Sequence, residues 1–137
     1  MEKKEAFTLK GEIFKAYDIR GVYPEDINEE AVFEVVRISA KKLFKKGGVV
    51  VGHDARLSSP KLYRAVLKGL RASLPGEKIF KAGFVTTPMF YFLVNFFRAK
   101  GGIMVTASHN PKDWNGLKIV GEKTTPISGN EVFRLIR

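Results

Sequence analysis

Short apolar runs alternate with helical segments along this chain, and that alternation limits the folds it can adopt. Four runs predict strands, at residues 49–51, 78–82, 103–105 and 116–120. Helices are predicted between the first three, because each intervening segment opens on serine or threonine with a proline and closes on glycine. Strands that alternate with helices form a sheet covered on both faces. We therefore predict a three-layer α/β/α sandwich.

The predicted sheet is mixed and mostly parallel, with four strands. Its last strand, 116–120, follows 103–105 after a loop too short for a crossover helix, so it should pair antiparallel. Residues 7–14 alternate loosely in polarity and form a candidate early strand, whereas residues 15–21 are predicted to be a polar loop.

Three helices carry further signals in the sequence. One is predicted to begin after Asn28 as its N-cap and to end at Gly47-Gly48. Another is predicted to begin at Ser128. The helix predicted over 87–100 is apolar nearly all round, which is typical of a helix in the central core. The alternative is that part of it faces a partner domain.

Composition restricts the class of protein. The 137 residues, 45% hydrophobic and 28% charged, suit one globular domain, taken as residues 1–137. The absence of cysteine excludes disulfides and thiolate catalysis. No apolar stretch follows the amino terminus, and the run at 89–94 is far shorter than the ~20 residues of a membrane span. We expect a cytoplasmic protein with no membrane partner.

The formal net charge of +10 suits nucleic acids or phosphorylated small molecules. Many cations lie at helical spacing opposite an apolar stripe, as Lys61, Arg64, Lys68 and Arg71 do, so a solvated helix face accounts for them. No nucleic-acid-binding motif accompanies the charge. We therefore expect no nucleic-acid partner.

Residues 102–120 contain the best-equipped candidate site. Ser108, His109 and Asn110 follow an apolar strand in a tight loop, and Lys118 lies in the next strand. A hydroxyl beside an imidazole, with an ammonium one strand away, suits transfer of an anionic group. The loop therefore predicts a reactive serine.

Two other polar segments, 17–20 and 53–56, are predicted to lie at the same sheet edge. Ligands of open α/β sheets bind beyond the carboxyl ends of the strands. Arg20, Lys118 and loop amides could balance the charge of a phosphoryl group there, and His109 or Lys118 could accept a proton.

Each candidate also has a purely structural interpretation. A serine in a turn usually makes local hydrogen bonds, and His53 suits a loop contact better than a base. Arg20 can pair with Asp18 or with a carbonyl, while Asp113 and Asn115 fit turn positions. The Gly-x-Ser-x-Gly elbow of many serine hydrolases does not occur around the reactive serine.

Three motifs in order carry a family resemblance. They are Phe-Lys-Ala-Tyr-Asp-Ile-Arg-Gly at 14–21, Val-Gly-His-Asp-Ala-Arg-Leu-Ser-Ser at 51–59, and Thr-Ala-Ser-His-Asn-Pro at 106–111 with Asn-Gly-Leu-Lys at 115–118. Together with Thr-Thr-Pro at 86–88, they resemble motifs of the α-D-phosphohexomutases, which include phosphomannomutase and phosphoglucomutase. The resemblance covers about residues 13–136 and concerns only the first, phosphoserine-bearing domain of that four-domain family.

The resemblance implies a phosphate transfer within a hexose. In the family, an enzyme phosphoserine phosphorylates a hexose 1- or 6-phosphate, and the other phosphate of the bisphosphate then returns to the serine. Ser108 matches the phosphoserine. Arg20, His109 and Lys118 match catalytic groups, with His109 or Lys118 as the general acid and base. Tyr17 and Asn110 match substrate-binding groups.

The resemblance also implies Mg²⁺, held by the phosphorylated Ser108 and by three aspartates of a loop that this sequence lacks. With one ligand of four, we expect weak or absent Mg²⁺ binding by this chain alone. Domains two to four of the family are absent too, so the isolated chain should be catalytically incomplete. Its expected partners are hexose phosphates and the missing domains or a complementing chain.

A second hypothesis is that the chain has the fold of this domain but does not take part in the reaction. The chain would then be a stand-alone, non-enzymatic module that binds a phosphosugar or a protein partner. Under either hypothesis, the surface that other domains cover in the family should be apolar and exposed here, which predicts self-association.

Overall fold

The computed structural model describes residues 9–137, which contain six strands and four helices. In chain order these are β1 (Ile19–Val22), α1 (Glu29–Phe44), β2 (Val49–His53), α2 (Ser59–Ser73), β3 (Ile79–Phe84), α3 (Thr87–Phe96), β4 (Gly101–Val105), β5 (Trp114–Gly121), β6 (Pro126–Ile127) and α4 (Gly129–Ile136). Short 3₁₀ turns lie at Gly11–Ile13 and Glu122–Thr124.

All six strands belong to one sheet, in the order β1-β5-β4-β2-β3, with β6 paired to β5. β2 runs parallel to β3 and β4, whereas β5 is antiparallel to β4, β1 and β6. The predicted α/β sandwich and the antiparallel pairing of β5 are confirmed. The sheet has six strands rather than four, because β1 and β6 add two antiparallel pairings to β5.

β1 lies where a polar loop was predicted over 15–21. Its four residues include an arginine and a glycine, so they carry little strand signal, yet Ile19 is buried in the core. Residues 7 and 8 of the candidate early strand fall outside the described residues. The rest of that segment holds a 3₁₀ turn, followed by one isolated bridge from Phe14 to Ile19.

Three of the four described helices begin after an N-cap residue whose side chain bonds to the first turn. α1 begins after Asn28, whose side chain accepts a hydrogen bond from the Ala31 N–H at 2.9 Å. α4 begins after Ser128, which forms a capping box. α3 begins at Thr87, after Thr86, whose side chain accepts a hydrogen bond from the Met89 N–H. The predicted helices are therefore present.

The two faces of the sheet are covered unequally. α1 and α2 pack against each other on one face, with α4 against α1, over a cluster of 22 buried residues. α3 packs on the other face over a cluster of six, namely Val50, Phe90, Val94, Ala99, Met104 and Val120. Below, the face under α1 and α2 is called the sealed face, and the face under α3 is called the open face.

α3 is less buried than its sequence predicts. It ends at Phe96 rather than near residue 100, and only Phe90 and Val94 of its side chains are fully buried. Phe92 and Phe96 are 56% and 65% exposed. The prediction of a central core helix is therefore wrong, because no second layer covers its outer side within the described part of the chain.

Candidate functional site

Residues 106–113, called the serine loop below, connect β4 to β5 at the end of the parallel strands. Thr106 is buried at its base, and its hydroxyl accepts a hydrogen bond from the Ser108 N–H at 3.0 Å. The Asn110 N–H donates to the Ala107 carbonyl at 3.1 Å, which closes a turn around the serine. These local bonds fix the loop close to the sheet.

Ser108 lies at the outer tip of this turn. Its backbone has φ 56°, in the left-handed region that costs most residues about 1–2 kcal/mol. The residue is exposed, as is His109, and Asn110 is half-buried. The loop thus presents the Ser108 hydroxyl to solvent from a backbone conformation that strained functional sites often use.

Arg20 and Lys118 lie on the same face of the sheet. In β5, Leu117 and Ile119 pack into the sealed-face cluster, so Lys118 between them points to the open face. Arg20 pairs with Gly116 across the β1–β5 ladder and therefore shares that face. Both cations are half-buried.

Gly116 permits this close approach. A Cβ at position 116 would lie 2.8 Å from the Arg20 Cα and would also clash with the Ile19 carbonyl oxygen. The Gly116 carbonyl accepts a hydrogen bond from the Thr106 N–H at 2.9 Å. One small residue therefore brings β1 and the first residue of the serine loop to the same point of β5.

Arg20 connects β1 to the serine loop. Its Nη1 donates to the Asn110 side-chain oxygen, and its Nε lies 3.0 Å from Asp18 Oδ1. Asp18 is buried, and this approach is an ion pair rather than an aligned hydrogen bond. The structural interpretation that Arg20 pairs with Asp18 is confirmed, and the guanidinium also reaches the loop two residues from Ser108.

Three predicted site residues make no such contacts. The side chains of Tyr17, His109 and Lys118 form no hydrogen bond or ion pair among residues 9–137, and Tyr17 is 78% exposed. The structure brings Arg20 and Asn110 together beside Ser108. The roles assigned to Tyr17, His109 and Lys118 remain predictions.

His53 has the local role expected of a loop residue. Its Nδ1 lies 2.8 Å from the Asp54 carbonyl oxygen, which can only accept, so this nitrogen carries a proton. Its ring lies edge-on to Tyr63, with centroids 4.9 Å apart. Burial raises the pKa of Tyr63, while a hydrogen bond from the Gly83 N–H acts in the opposite direction.

The site residues missed by sequence reasoning lie behind the serine loop. Arg56, Asp54, Ser59 and Asn115 form a hydrogen-bonded network under it. The motif at 51–59 contains the first three, but it gave no sign that Arg56 reaches the loop. Asn115 is completely buried and bonds to two hydroxyls, so its role exceeds that of a turn residue.

Residues 9–137 contain neither a cluster of metal-ligating side chains nor a membrane-spanning helix. Residues 9–137 contain no group of three or more His, Cys, Asp or Glu side chains that could hold a metal ion. No helix in this range is both long enough and apolar enough to cross a membrane. The residues present do not make a Mg²⁺ site on their own.

The fold and the site together define an α/β/α domain with a serine-bearing loop between antiparallel strands. A sequence profile described as "Phosphoglucomutase/phosphomannomutase, alpha/beta/alpha domain I" matches residues 11–136. The chain belongs to this family, as the motifs predict, and corresponds to its first domain.

Individual relatives agree with the profile. "Phosphohexose mutases" of Xanthomonas campestris is 46% identical over 124 residues, covering 90% of this chain and 27% of the relative. A phosphomannomutase sequence of Klebsiella pneumoniae is 42% identical, covering 90% of this chain and 77% of the relative. A crystal structure of a phosphoglucomutase/phosphomannomutase family protein from Burkholderia thailandensis superposes with a TM-score of 0.82 at 34% identity, over 93% of this chain and 30% of that one.

The lengths of these proteins differ from that of this chain. The chain spans about a quarter of the length of most curated relatives it matches. Their names therefore describe proteins with much sequence that has no counterpart among these 137 residues.

Proposed function

We propose that this chain is the N-terminal, phosphoserine-bearing domain of a phosphomannomutase/phosphoglucomutase. The observation that carries the proposal is the exposed Ser108 at the tip of a fixed loop, tied through Asn110 to the half-buried Arg20. Family membership over residues 11–136 supports the same conclusion. The domain is taken as residues 1–137, and domains two to four are absent from this sequence.

In the proposed reaction, the phosphoryl group leaves the Ser108 Oγ for a hydroxyl oxygen of a hexose phosphate. The Oγ–P bond breaks, a new O–P bond forms on the sugar, and the sugar hydroxyl loses its proton. His109 or Lys118 would accept this proton, and the serine regains a phosphate from the bisphosphate in the second half-reaction. Arg20 and Lys118 would balance the phosphoryl charge in the transition state.

Substrate placement is assigned to Tyr17 and Asn110. Tyr17 is largely exposed, so it is free to contact a sugar, and Asn110 already bonds Arg20 beside the serine. We place hexose phosphates and a complementing chain, or the missing domains, among the partners. A cytoplasmic location belongs to the same proposal.

Mg²⁺ is proposed as the metal of the complete enzyme, with the phosphorylated Ser108 as one ligand. When bound, it would supply positive charge to the transferring phosphoryl group. Because residues 9–137 lack a carboxylate cluster, no step is assigned to Mg²⁺ in this chain. The isolated chain should be essentially inactive, since positioning by several domains provides most of the catalysis in phosphoryl transfer.

The proposal is tested by measuring whether phosphate is added to the chain at the Ser108 Oγ. The chain is incubated with a hexose 1,6-bisphosphate, alone and with the remaining domains of a relative, and its intact mass and mutase activity are measured. The expected result is one added phosphate that maps to Ser108, with mutase activity only in the mixture. Ser108→Ala should abolish both, whereas Ser128→Ala, which removes a helix cap but no group assigned to the site, should keep both.

The stand-alone binding module remains the second candidate. The observation that favours it is the exposed apolar patch, which we define as Phe92, Phe96 and Phe97; their rings contact one another with centroids 5.7 and 5.1 Å apart. A protein partner or a second copy would cover this patch. Saturable hexose-phosphate binding without phosphorylation of Ser108 in any mixture would favour this candidate over the enzyme domain.

A further inference from the structure

Arg56 holds the serine loop with every hydrogen-bond donor that it has. A guanidinium carries five N–H groups, and the side chain is only 12% exposed. Its acceptors are Asp54 Oδ2 for Nε at 3.2 Å, the Pro111 and Trp114 carbonyls for Nη1 at 2.6 and 3.0 Å, and the Ser108 and Asn110 carbonyls for Nη2 at 2.9 Å each. Four of the five acceptors are backbone carbonyls between residues 108 and 114.

A second set of bonds fixes Arg56 itself. Asp54 Oδ1 accepts hydrogen bonds from the Arg56 N–H at 3.1 Å and from the Ser59 hydroxyl at 2.5 Å. The Ser59 oxygen accepts from Asn115 Nδ2 at 3.0 Å. The network therefore joins the end of β2, the first turn of α2 and the start of β5 beneath one loop.

The inward direction of the Ser108 carbonyl determines where the next N–H points. The Ser108–His109 peptide is trans, and in a trans peptide the C=O and N–H point in opposite directions. Because the Ser108 carbonyl points at the guanidinium, the His109 N–H points away from it. This N–H has no acceptor among residues 9–137.

We infer that Arg56 is a positioning residue for the serine loop. By drawing four carbonyls inward, it turns the His109 N–H outward, where it can donate to a phosphate at Ser108. The phosphate part of this inference rests on the proposed function. A lysine would keep the positive charge, but its three N–H donors are too few for five acceptors.

The test compares Arg56→Lys with Arg64→Lys in the full chain. Arg64 is exposed on α2 and makes no hydrogen bond or ion pair in the described residues, so it is a matched control. Amide hydrogen exchange is measured by NMR at Ser108, Asn110 and Trp114, whose N–H groups have acceptors in the wild type. Inorganic phosphate is then titrated while the His109 amide shift is followed.

In Arg56→Lys, exchange at these three amides should accelerate about tenfold or more, as expected for losing a charged hydrogen bond. The phosphate Kd at the His109 amide should rise by a similar factor, although the net charge is unchanged. Arg64→Lys should match the wild type in both measurements. Unchanged exchange and an unchanged Kd in Arg56→Lys would overturn the inference.

The two measurements separate this inference from the proposed function. A wild-type loop that does not respond to phosphate would count against the function, while the exchange data would still decide the role of Arg56. If Arg56→Lys does not fold, Asp54→Asn decides. That variant keeps the guanidinium but removes the carboxylate charge that holds it in place, so amide exchange should accelerate in the serine loop alone. Exchange rates equal to those of the wild type would contradict the inference.

Discussion

The sealed and open faces of the sheet are built from the same strands but covered very differently. Val49 and Val51 of β2 contribute to the sealed-face cluster under α1 and α2, whereas Val50 between them belongs to the smaller cluster under α3. Three helices exclude water from the first face, and one short helix covers the second.

The difference explains where charge can be placed. Arg20 and Lys118 lie on the open face, where both residues are only half-buried and keep some contact with solvent. On the sealed face the same positions would bury two cations. The open face is therefore the face that can present cations to an anionic ligand, and the sealed face is the one that holds the domain together.

The largest expected effect is on the sealed face. Leu62→Ala removes a completely buried side chain of α2 and should lower the free energy of unfolding by about 2–5 kcal/mol. Leu93→Ala makes the same change in α3, where the side chain is half-buried, and should cost clearly less. Urea denaturation measures both. Equal losses would contradict the contrast between the faces.

Next in size is the packing of β1 against β5. Gly116→Ala places a methyl group against the Arg20 backbone and should cost about 1–3 kcal/mol, as overpacking usually does. Gly121→Ala is the control in the same strand, because a Cβ there meets nothing closer than 3.7 Å. Thermal unfolding compares the two; equal midpoints would show that β1 can shift at no cost.

A smaller effect is expected at alkaline pH. Burial raises the pKa of Tyr63, so the folded state keeps this proton at a pH where the unfolded chain has lost it. The contribution is complete below the ordinary pKa of about 10 and is lost as pH rises through the folded-state pKa. Tyr63→Phe should flatten this alkaline loss in a series of urea titrations. Superimposable pH profiles for variant and wild type would exclude the effect.

The smallest change in stability is expected at the apolar patch. Phe96→Ser should change the free energy of unfolding by no more than about 0.5 kcal/mol, because the side chain is mostly exposed. The same substitution should reduce self-association, seen as a lower mean mass in light scattering at high concentration. Leu57→Ser alters an exposed side chain outside the patch and should leave association unchanged. A wild-type chain that stays monomeric throughout would refute the prediction.

Most of the fold could be predicted because its signals are local. Asn28 and Ser128 mark helix starts through bonds to their own first turns, and the apolar run at 49–51 needs no distant partner to be recognised. β1 and β6 were missed because strands of four and two residues exist only through pairing with β5. The exposure of α3 was missed because apolar residues do not reveal what covers them.

The candidate site was predictable only in part. The neighbours of Ser108 in sequence predict a reactive serine, which stays a prediction, and the structure shows this residue exposed in a left-handed turn. Arg56 was not identified, because its acceptors are carbonyls 52 to 58 residues away, and a carbonyl belongs to every residue type. Side-chain patterns cannot show such bonds in advance.

The left-handed backbone at Ser108 has an evolutionary consequence. Glycine or asparagine would adopt that φ at a lower cost, so selection for folding alone would tend to replace the serine. The serine therefore reduces the stability of the domain relative to either residue, a cost that strained backbone positions often carry where the side chain has a role.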